Sequence, residues 1–598
     1  MAGYDEAQLR RFALRAKRNE QSTLGFILAL VFVGLLYTVF HQIRQSNHWM
    51  RRRKGGIKLP SPLAATSRYI RKLFLKRVVG LPSLGHAGVT TIFVALNLVG
   101  LFANLGESAS MMSNIASRSG WCVSPTLIET VQKPNHILPR LAIANLVFVI
   151  FFALKNTPLA FLTAWSYERL NCLHRIAGYT AVSHVIIHTS CYSYYFCSMN
   201  RCSRLLETSD IFGIVAGSCW ALLALAAIFI RRWWYELFYY IHVTLWIVSI
   251  VSIGLHQSKF TTKIVIGTVV AGSMWGLDRL IRFVRLMINS TNNTATLTPL
   301  PNGGTRVTLA KPPMGAISGK HCFLWIPRIR LFETHPFTIA SADPLEFVVV
   351  SHNGFTGDLH KYAIDHPGQP LKASIEGPYG TVPDPSAFET VVLVAGGSGA
   401  SFTFGLAHAL LGRVTSSTTR RVVFVWVVKY NSYLKWFAEH LITLKNDPRF
   451  TIRVFITRSE PPLPPSSSAG SECSTSKCIE HVSIREETLE KDAIRRVRPS
   501  PSESSIDLEK SPPSSDTEAV SAEATWRPVD FHGIPITYKR PDVVTLIREA
   551  VNDTPSDDRV LISGCGPAKL MHIIRETTAS CIRSDGPSIE LHCEQFGW

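Results

Sequence analysis

The sequence predicts a multi-domain membrane protein, an α-helical transmembrane bundle of about seven spans followed by a cytoplasmic portion that begins β-rich and turns to βα alternation. Three observations predict it. Hydrophobic residues make up 46% of 598, and before about residue 290 they gather into long uncharged runs. A formal net charge of +19 falls mainly in alternate loops between those runs. Beyond 290 the apolar runs shorten to strand length and are punctuated by Gly and Pro.

The runs are 24–40, 86–106, 141–154, 170–192, 211–230, 239–255 and 264–277. Each is near or a little below the ~20 residues that cross a hydrocarbon core, and 141–154 and 264–277 are the weakest. Basic residues crowd after the first run (Arg44, Arg51, Arg52, Arg53, Lys54, Lys58, Arg68, Arg71, Lys72, Lys76, Arg77). They recur at Arg231, Arg232, Arg279, Arg282 and Arg285, whereas loops 107–138 and 189–210 are poorer in them. The positive-inside rule therefore puts the N-terminus outside, loop 41–85 in the cytoplasm and everything after about 285 in the cytoplasm. The N-terminal tail, with Arg10, Arg11, Arg15, Lys17 and Arg18, pulls the other way and is outweighed by the longer basic loop. This placement assigns the charge to membrane topology and excludes nucleic acid as a partner. No cleavable signal peptide is expected, since the first apolar run begins only at Leu24. Cys122, Cys191, Cys197 and Cys202 fall in expected external loops, where disulfides persist, with their pairing open.

The run 170–192 carries three imidazoles, His174, His184 and His188; the run 239–255 has His242 near one end and His256 just past the other. His174 to His188 and His242 to His256 are both fourteen residues, a rise of roughly 21 Å and nearly four turns, so each pair shares a helical face. One span, 211–230, lies between these two helices in chain order, so they run the same way. His174 then faces His242 near the cytoplasm, and His188 faces His256 near the outside. An ionisable group inside a membrane is a functional site by default. The doubled spacing suits two stacked haems, each with bis-imidazole ligation, and leaves His184 a supporting or packing role.

Haems of this kind pass single electrons and need a source. "HPFTIAS" (335–341) and "NGFTGDLHKYA" follow a β-rich stretch, and a flavin requires hydrogen-bond donors of the kind His335, Thr338, Ser341 and the amides near Phe355 and Thr356 supply. "VVLVAGGSGASFTFGLAHAL" reads as a buried strand, a Gly-rich turn and a helix. Gly396, Gly397 and Gly399 there let backbone approach a pyrophosphate at a helix N-terminus. "EGPYG" (376–380) is a second Gly/Pro turn, and "VLISGCGPAKLMHII" another strand–turn–helix, with Gly564, Cys565, Gly566 and Pro567 at the bend. The chain ends on "EQFGW", whose Trp598 could stack on a flavin ring. Residues 459–527 are Ser/Pro/Glu-rich and are expected to be a disordered insertion.

"RSGW" (118–121), "YERLNCLHR" (167–175), the doubled histidine spacing, "HPFTIAS", "GFT", "GPYG", "GGSG", "CGP" and "EQFGW", in that order, together resemble the fungal ferric reductases of the ferric reductase/NADPH oxidase superfamily. The resemblance runs from about residue 85 to the end, apart from the insertion. It implies a haem-binding transmembrane bundle and then a ferredoxin–NADP reductase-like module, in which a β-barrel FAD domain precedes a Rossmann-like NADPH domain. His335, Pro336, Phe337 and Thr338 are similar to the family's FAD motif. Gly396, Gly397, Ser398 and Gly399 are similar to its NADPH pyrophosphate loop, and Cys565, Gly566 and Pro567 to the segment near the nicotinamide. "KRPD" (539–542) resembles a Gly-Arg-Pro element with Lys539 in place of Gly, leaving Arg540 to meet the 2′-phosphate.

The domains expected are a tail, first span and basic loop at 1–85, the haem bundle at 86–289, the FAD barrel at 290–385 and the NADPH domain at 386–598. The function expected is reduction of ferric, and also cupric, chelates or siderophores on the outer face with cytoplasmic NADPH, via FAD and two b-type haems, in support of metal uptake. No side chain acts as acid or base. The rivals are a superoxide-generating NADPH oxidase, disfavoured by the extra span at 24–40 and the long insertion, and a non-catalytic haem membrane sensor or scaffold. Membrane lipid and a downstream iron-uptake system are the other expected partners. The plasma membrane is the expected address, with the vacuolar membrane as the alternative.

Overall fold

The computed structural model describes residues 21, 24–43 without 40, 61–75, 81, 83–102, 141–256 without 164, 165 and 199, 262–412, 417–458 and 530–594. The insertion expected at 459–527, Cys122 and Trp598 lie outside the described residues.

Every apolar run of the sequence is helical where described. The helices are α1 (Leu24–Ile43), α2 (Ser61–Leu75), α3 (Leu84–Phe102), α4 (Leu141–Ala153), α5 (Pro158–Thr163), α6 (Tyr167–Ser198), α7 (Thr208–Ile228), α8 (Ile230–Trp233), α9 (Tyr235–Leu255) and α10 (Thr262–Ser290). Of the seven spans expected, four described helices are both long and apolar enough to cross a membrane: α1, α3, α7 continued through α8, and α9. Helix α4, at 13 residues, is short. Helices α6 and α10 have the length, 32 and 29 residues, but polar groups interrupt them: the histidines of α6, and Asp278, Arg279, Arg282 and Arg285 in the second half of α10.

The bundle core is built from small and branched residues one turn apart. Ala177, Ala181 and Val185 of α6 meet Leu146 and Ile150 of α4, all buried. Small residues let helix backbones approach closely in lipid. Gly267 of α10 does this too, because a Cβ there would collide with Ile143 of α4. Leu222, Leu225, Val248 and Val251 lie exposed on the outer surface, the reverse of a water-soluble fold and suited to lipid contact. The external loop expected at 189–210 is shorter than read: α6 continues to Ser198, with the Tyr192 and Phe196 rings in edge-to-face contact at 4.7 Å. Cys191 is therefore a buried free thiol inside a helix, and Cys197 pairs with Cys202 across the turn.

Helix α10 leads directly into a seven-stranded antiparallel sheet, β1 (Thr294–Leu300), β2 (Gly304–Leu309), β3 (His321–Trp325), β4 (His335–Ala342), β5 (Leu345–Val350), β6 (Pro370–Lys372) and β7 (Ser374–Tyr379). The strand order is β6-β1-β2-β5-β4-β3-β7. The two edge strands are consecutive in the chain, separated by Ala373 alone, so the sheet must curl until its edges meet. Its interior is filled by Leu297, Val307, Leu324, Ile339, Phe347 and Ile375, and helix α11 (Phe355–Asp365) plugs one end with Phe355 and Leu359.

The second sheet has the order β11-β12-β10-β9-β8-β13-β14, from β8 (Thr390–Gly396), β9 (Arg421–Val428), β10 (Phe450–Ile456), β11 (Asp530–Phe531), β12 (Ile534–Thr537), β13 (Arg559–Cys565) and β14 (Ser588–Glu594). All pairings are parallel except the β11–β12 hairpin. Helices α12 (Ala400–Leu411), α13 (Ala438–Lys445), α14 (Val543–Asn552) and α15 (Ala568–Cys581) make the crossovers. The near-continuous apolar run of β8, wholly buried through Ala395, is what a central parallel strand requires. The order reverses at β8, which places a ligand crevice at its carboxyl end, between β8 and β13.

Candidate functional site

Four of the five histidines on α6 and at the ends of α9 are brought together in two pairs. The rings of His174 (α6) and His242 (α9) lie 6.2 Å apart, centroid to centroid. The Nδ1–H of His174 donates to the Val149 carbonyl at 2.9 Å, which fixes the tautomer and leaves the Nε2 lone pair for a ligand. The Nδ1 of His242 is buried with no hydrogen-bond partner among the described residues. At the other end, His188 (α6) and the residue closing α9, His256, line one cleft together with Tyr192, Asp210, Gly213 and Ile253. His256 Nδ1 donates to the Ser209 carbonyl at 2.5 Å, repeating the His174 arrangement. Gly213 of α7 is required there, because a Cβ would enter the His256 ring.

The His174–His242 pair fits an iron-centred group held between its two rings. Two metal–imidazole bonds of about 2 Å and two ring radii of about 1 Å give a centroid separation of about 6 Å. One turn from His174, Gly178 has no atom within 4 Å of its Cβ position, so the space beside the ring is open. His184 belongs to neither pair. It is 4% exposed and its Nε2 meets Asn97 Oδ1 at 3.0 Å, which also accepts from Asn145 at 2.6 Å, tying α6 to α3 and α4.

On the first sheet, His335, Pro336, Phe337, Thr338 and Ser341 all lie on β4, with the ladder to β3 pairing Phe337 with Cys322 and Thr338 with His321. The His335 ring stacks on Phe355 at 4.5 Å and its Nε2 bonds Glu333 at 3.0 Å. Glu236 of α9 comes to the same point, its carboxylate within 4.8 Å of both. Ser341 is buried and donates to the Asp343 carbonyl. Phe355 is committed to the barrel core, so only its amide and that of Thr356, in the opening turn of α11, are available to a ligand. Gly354, at φ +83°, sets up that turn.

Sequence reading treated "GGSG" and "CGP" as separate turns, and the sheet makes them one site. Ala395 pairs with Cys565 across β8 and β13, so Gly396, Gly397, Ser398 and Gly399 face Gly564, Cys565, Gly566 and Pro567. The approach is close enough that a Cβ on Gly396 would lie 2.8 Å from Pro567 Cδ, and one on Gly399 2.5 Å from the Cys565 carbonyl oxygen. Burial pushes the Cys565 thiol up, so it stays protonated and unreactive at neutral pH. Arg540 is exposed just beyond β12, at the same carboxyl edge but three strands from β8, roughly 14 Å away at ordinary strand spacing.

A cluster that sequence reading missed joins the bundle to the first sheet. Glu376 of β7, 3% exposed, takes Arg282 of α10 in a two-point pair at 2.5 and 3.1 Å and the Tyr379 hydroxyl at 2.8 Å. Lys155, at the end of α4, lies 3.9 Å from the same carboxylate and 3.1 Å over the Phe323 ring. Burial opposes the charge of Glu376, but Lys155 and Arg282 hold its carboxyl below the usual range. Beside it Glu168, which opens α6, pairs with His321 of β3 at 3.0 Å. The only sequence signal was a lone carboxylate in the otherwise buried strand "SIEGPY".

Three family descriptions match in chain order: "Ferric reductase like transmembrane component" over residues 138–253, "FAD-binding domain" over 289–383 and "Ferric reductase NAD binding domain" over 388–579. Among curated relatives, a probable ferric reductase transmembrane component of Candida albicans is 26% identical over 360 residues, covering 58% of this chain and 51% of the relative. A probable cell surface ferric reductase of Aspergillus oryzae is 27% identical over 437 residues, covering 65% and 55%. Ferric/cupric reductase transmembrane component 2 of Saccharomyces cerevisiae is 24% identical over 584 residues, covering 93% and 73%. The chain spans about half the length of the first two of these relatives. By its three matched regions and their order, the chain belongs to the ferric reductase family, with a transmembrane component, an FAD-binding domain and an NAD-binding domain.

Proposed function

We propose that the chain is a transmembrane ferric-chelate reductase, with cupric chelates as a second substrate class, that moves electrons from cytoplasmic NADPH to metal on the outer face. FAD and two b-type haems would supply the hydride acceptance and single-electron transfer that no side chain provides. The observation that carries the reading is the pairing of His174 with His242 and of His188 with His256. Members of each helix are fourteen residues apart, so the pairs lie roughly 21 Å apart along the helices and span the bundle from the end that meets the reductase module to the far end.

The protein's own residues bind and position. His174, His188, His242 and His256 would hold the two haem irons, with the Val149 and Ser209 carbonyls orienting one imidazole of each pair. The strand His335–Ala342 and the opening amides of α11 would hold the flavin, and Trp598 would stack on its ring. The joined turns at 396–399 and 564–567 would hold the pyrophosphate and nicotinamide, with Arg540 on the 2′-phosphate. The domain limits expected from sequence (1–85, 86–289, 290–385, 386–598) assign these roles to a bundle, a flavin barrel and a nucleotide domain. Ferric chelates or siderophores would reach the outer cleft from outside the plasma membrane, feeding a downstream iron-uptake system.

The test is an optical count of haem in the purified full chain. Two b-type haems per chain are expected, with one remaining in His188→Ala and one in His242→Ala. A single haem in the unaltered chain, or an unchanged count in both variants, overturns the assignment.

A further inference from the structure

Helix α2 has two faces. On one, the Arg68 guanidinium donates to the Ser584 carbonyl, Arg71 Nη1 donates to the Ile589 carbonyl at 2.6 Å, and Leu75 packs on the apolar cluster that contains Ile582 and Ile589. This face grips the nucleotide domain. On the other, Tyr69 and the one-turn pair Ile70 and Phe74 form an apolar stripe, 62%, 43% and 53% exposed. The stripe ends against a membrane-crossing helix: a Cβ on Gly85, in the first turn of α3, would lie 3.7 Å from Phe74.

The chain around α2 restricts what can cover this stripe. It runs between two helices apolar enough to cross a membrane, α1 ending at Ile43 and α3 beginning at Leu84. Residues 44–83 contain the eleven Lys and Arg named above and no Asp or Glu. An aromatic and aliphatic stripe on a strongly cationic segment, tethered at both ends to the bilayer, matches the chemistry of an anionic lipid surface. The geometry points to α2 as a membrane-surface strut, its Tyr69–Ile70–Phe74 stripe seated among anionic headgroups of the cytoplasmic leaflet while its opposite face holds the nucleotide domain in place. The inference uses the membrane orientation proposed above. Its consequence is that the nucleotide domain is docked to lipid as well as to the flavin barrel, so leaflet charge bears on its placement.

The test places a photoreactive benzoylphenylalanine at position 70 or, separately, 74 of the full chain. The protein is reconstituted in nanodiscs of phosphatidylcholine alone or with phosphatidylserine at about three to one. Lipid adducts are expected at both positions, falling at least fivefold without phosphatidylserine and roughly fivefold in Lys76→Gln, since each basic residue adds about that factor at an anionic surface. Both labelled positions are exposed, and slower amide exchange over 66–75 of the unlabelled chain in phosphatidylserine discs is a second expected readout. Cross-links to protein, whether this chain or a second copy, or no lipid adduct at either position, overturn the proposal. Adducts are read without turnover, so a chain that reduces no chelate can still pass, and an active reductase can still fail.

Discussion

Arg282 of the last bundle helix and Glu376 of the flavin-side barrel form a two-point ion pair, 2.5 and 3.1 Å, in a site from which water is nearly excluded. Lys155 lies against the same carboxylate, and burial first, then the Arg282 guanidinium, push its amine well below the ordinary lysine range. Glu376→Gln should leave the Arg282 guanidinium uncompensated, at a cost of about 3–5 kcal/mol. The thermal midpoint in nanodiscs should fall, and NADPH-driven metal reduction should fall more than NADPH-driven flavin reduction. Equal losses in both rates would mean that Glu376 serves the barrel alone.

Gly399 has φ −57°, which any residue adopts, so its requirement is space and not backbone freedom. Gly399→Ala places a methyl group 2.5 Å from the Cys565 carbonyl oxygen and must part the two turns. The KM for NADPH should rise about tenfold or more with FAD content unchanged, as read by steady-state kinetics beside flavin fluorescence.

Gly213→Ala drives a methyl group into the His256 ring. The haem count should fall from two towards one, with the spectrum of the His174–His242 end retained. An unchanged count would show that α7 gives way and that His256 does not depend on this glycine.

His408, partly buried on α12, meets His440 at 2.5 Å. Burial first, and then the neighbouring His440, lower its pKa to about 4 from the ordinary 6.5. Between those values the unfolded chain binds a proton that the folded chain does not, so stability is complete above pH 6.5 and is lost as pH falls towards 4. His408→Asn should flatten this part of the pH profile of the thermal midpoint, by an amount on the order of 3 kcal/mol.

What could be read without coordinates follows local periodicity. The repeated fourteen-residue histidine spacing is legible because helix geometry converts it into a face, and the Gly-rich turn after β8 is legible because strand, turn and helix are contiguous. The union of that turn with "CGP" is not, since it depends on β13 lying beside β8 after a long excursion through β9, β10 and the insertion. The Lys155–Arg282–Glu376 cluster was hidden for the same reason: its members come from separate elements, and each alone reads as an ordinary surface charge. Cys191 was misplaced because hydropathy alone put the end of α6 too early. The helix runs on to Ser198, with Tyr192 and Phe196 one turn apart in edge-to-face contact.

The most direct test is NADPH-driven reduction of a ferric chelate by proteoliposomes holding the haem- and FAD-loaded protein, without oxygen, with Fe(II) trapped as it forms. Rapid Fe(II) formation that disappears in His188→Ala is the expected result. An absence of anaerobic Fe(II), with superoxide appearing once air is admitted, would contradict metal reduction and make the chain an oxidase.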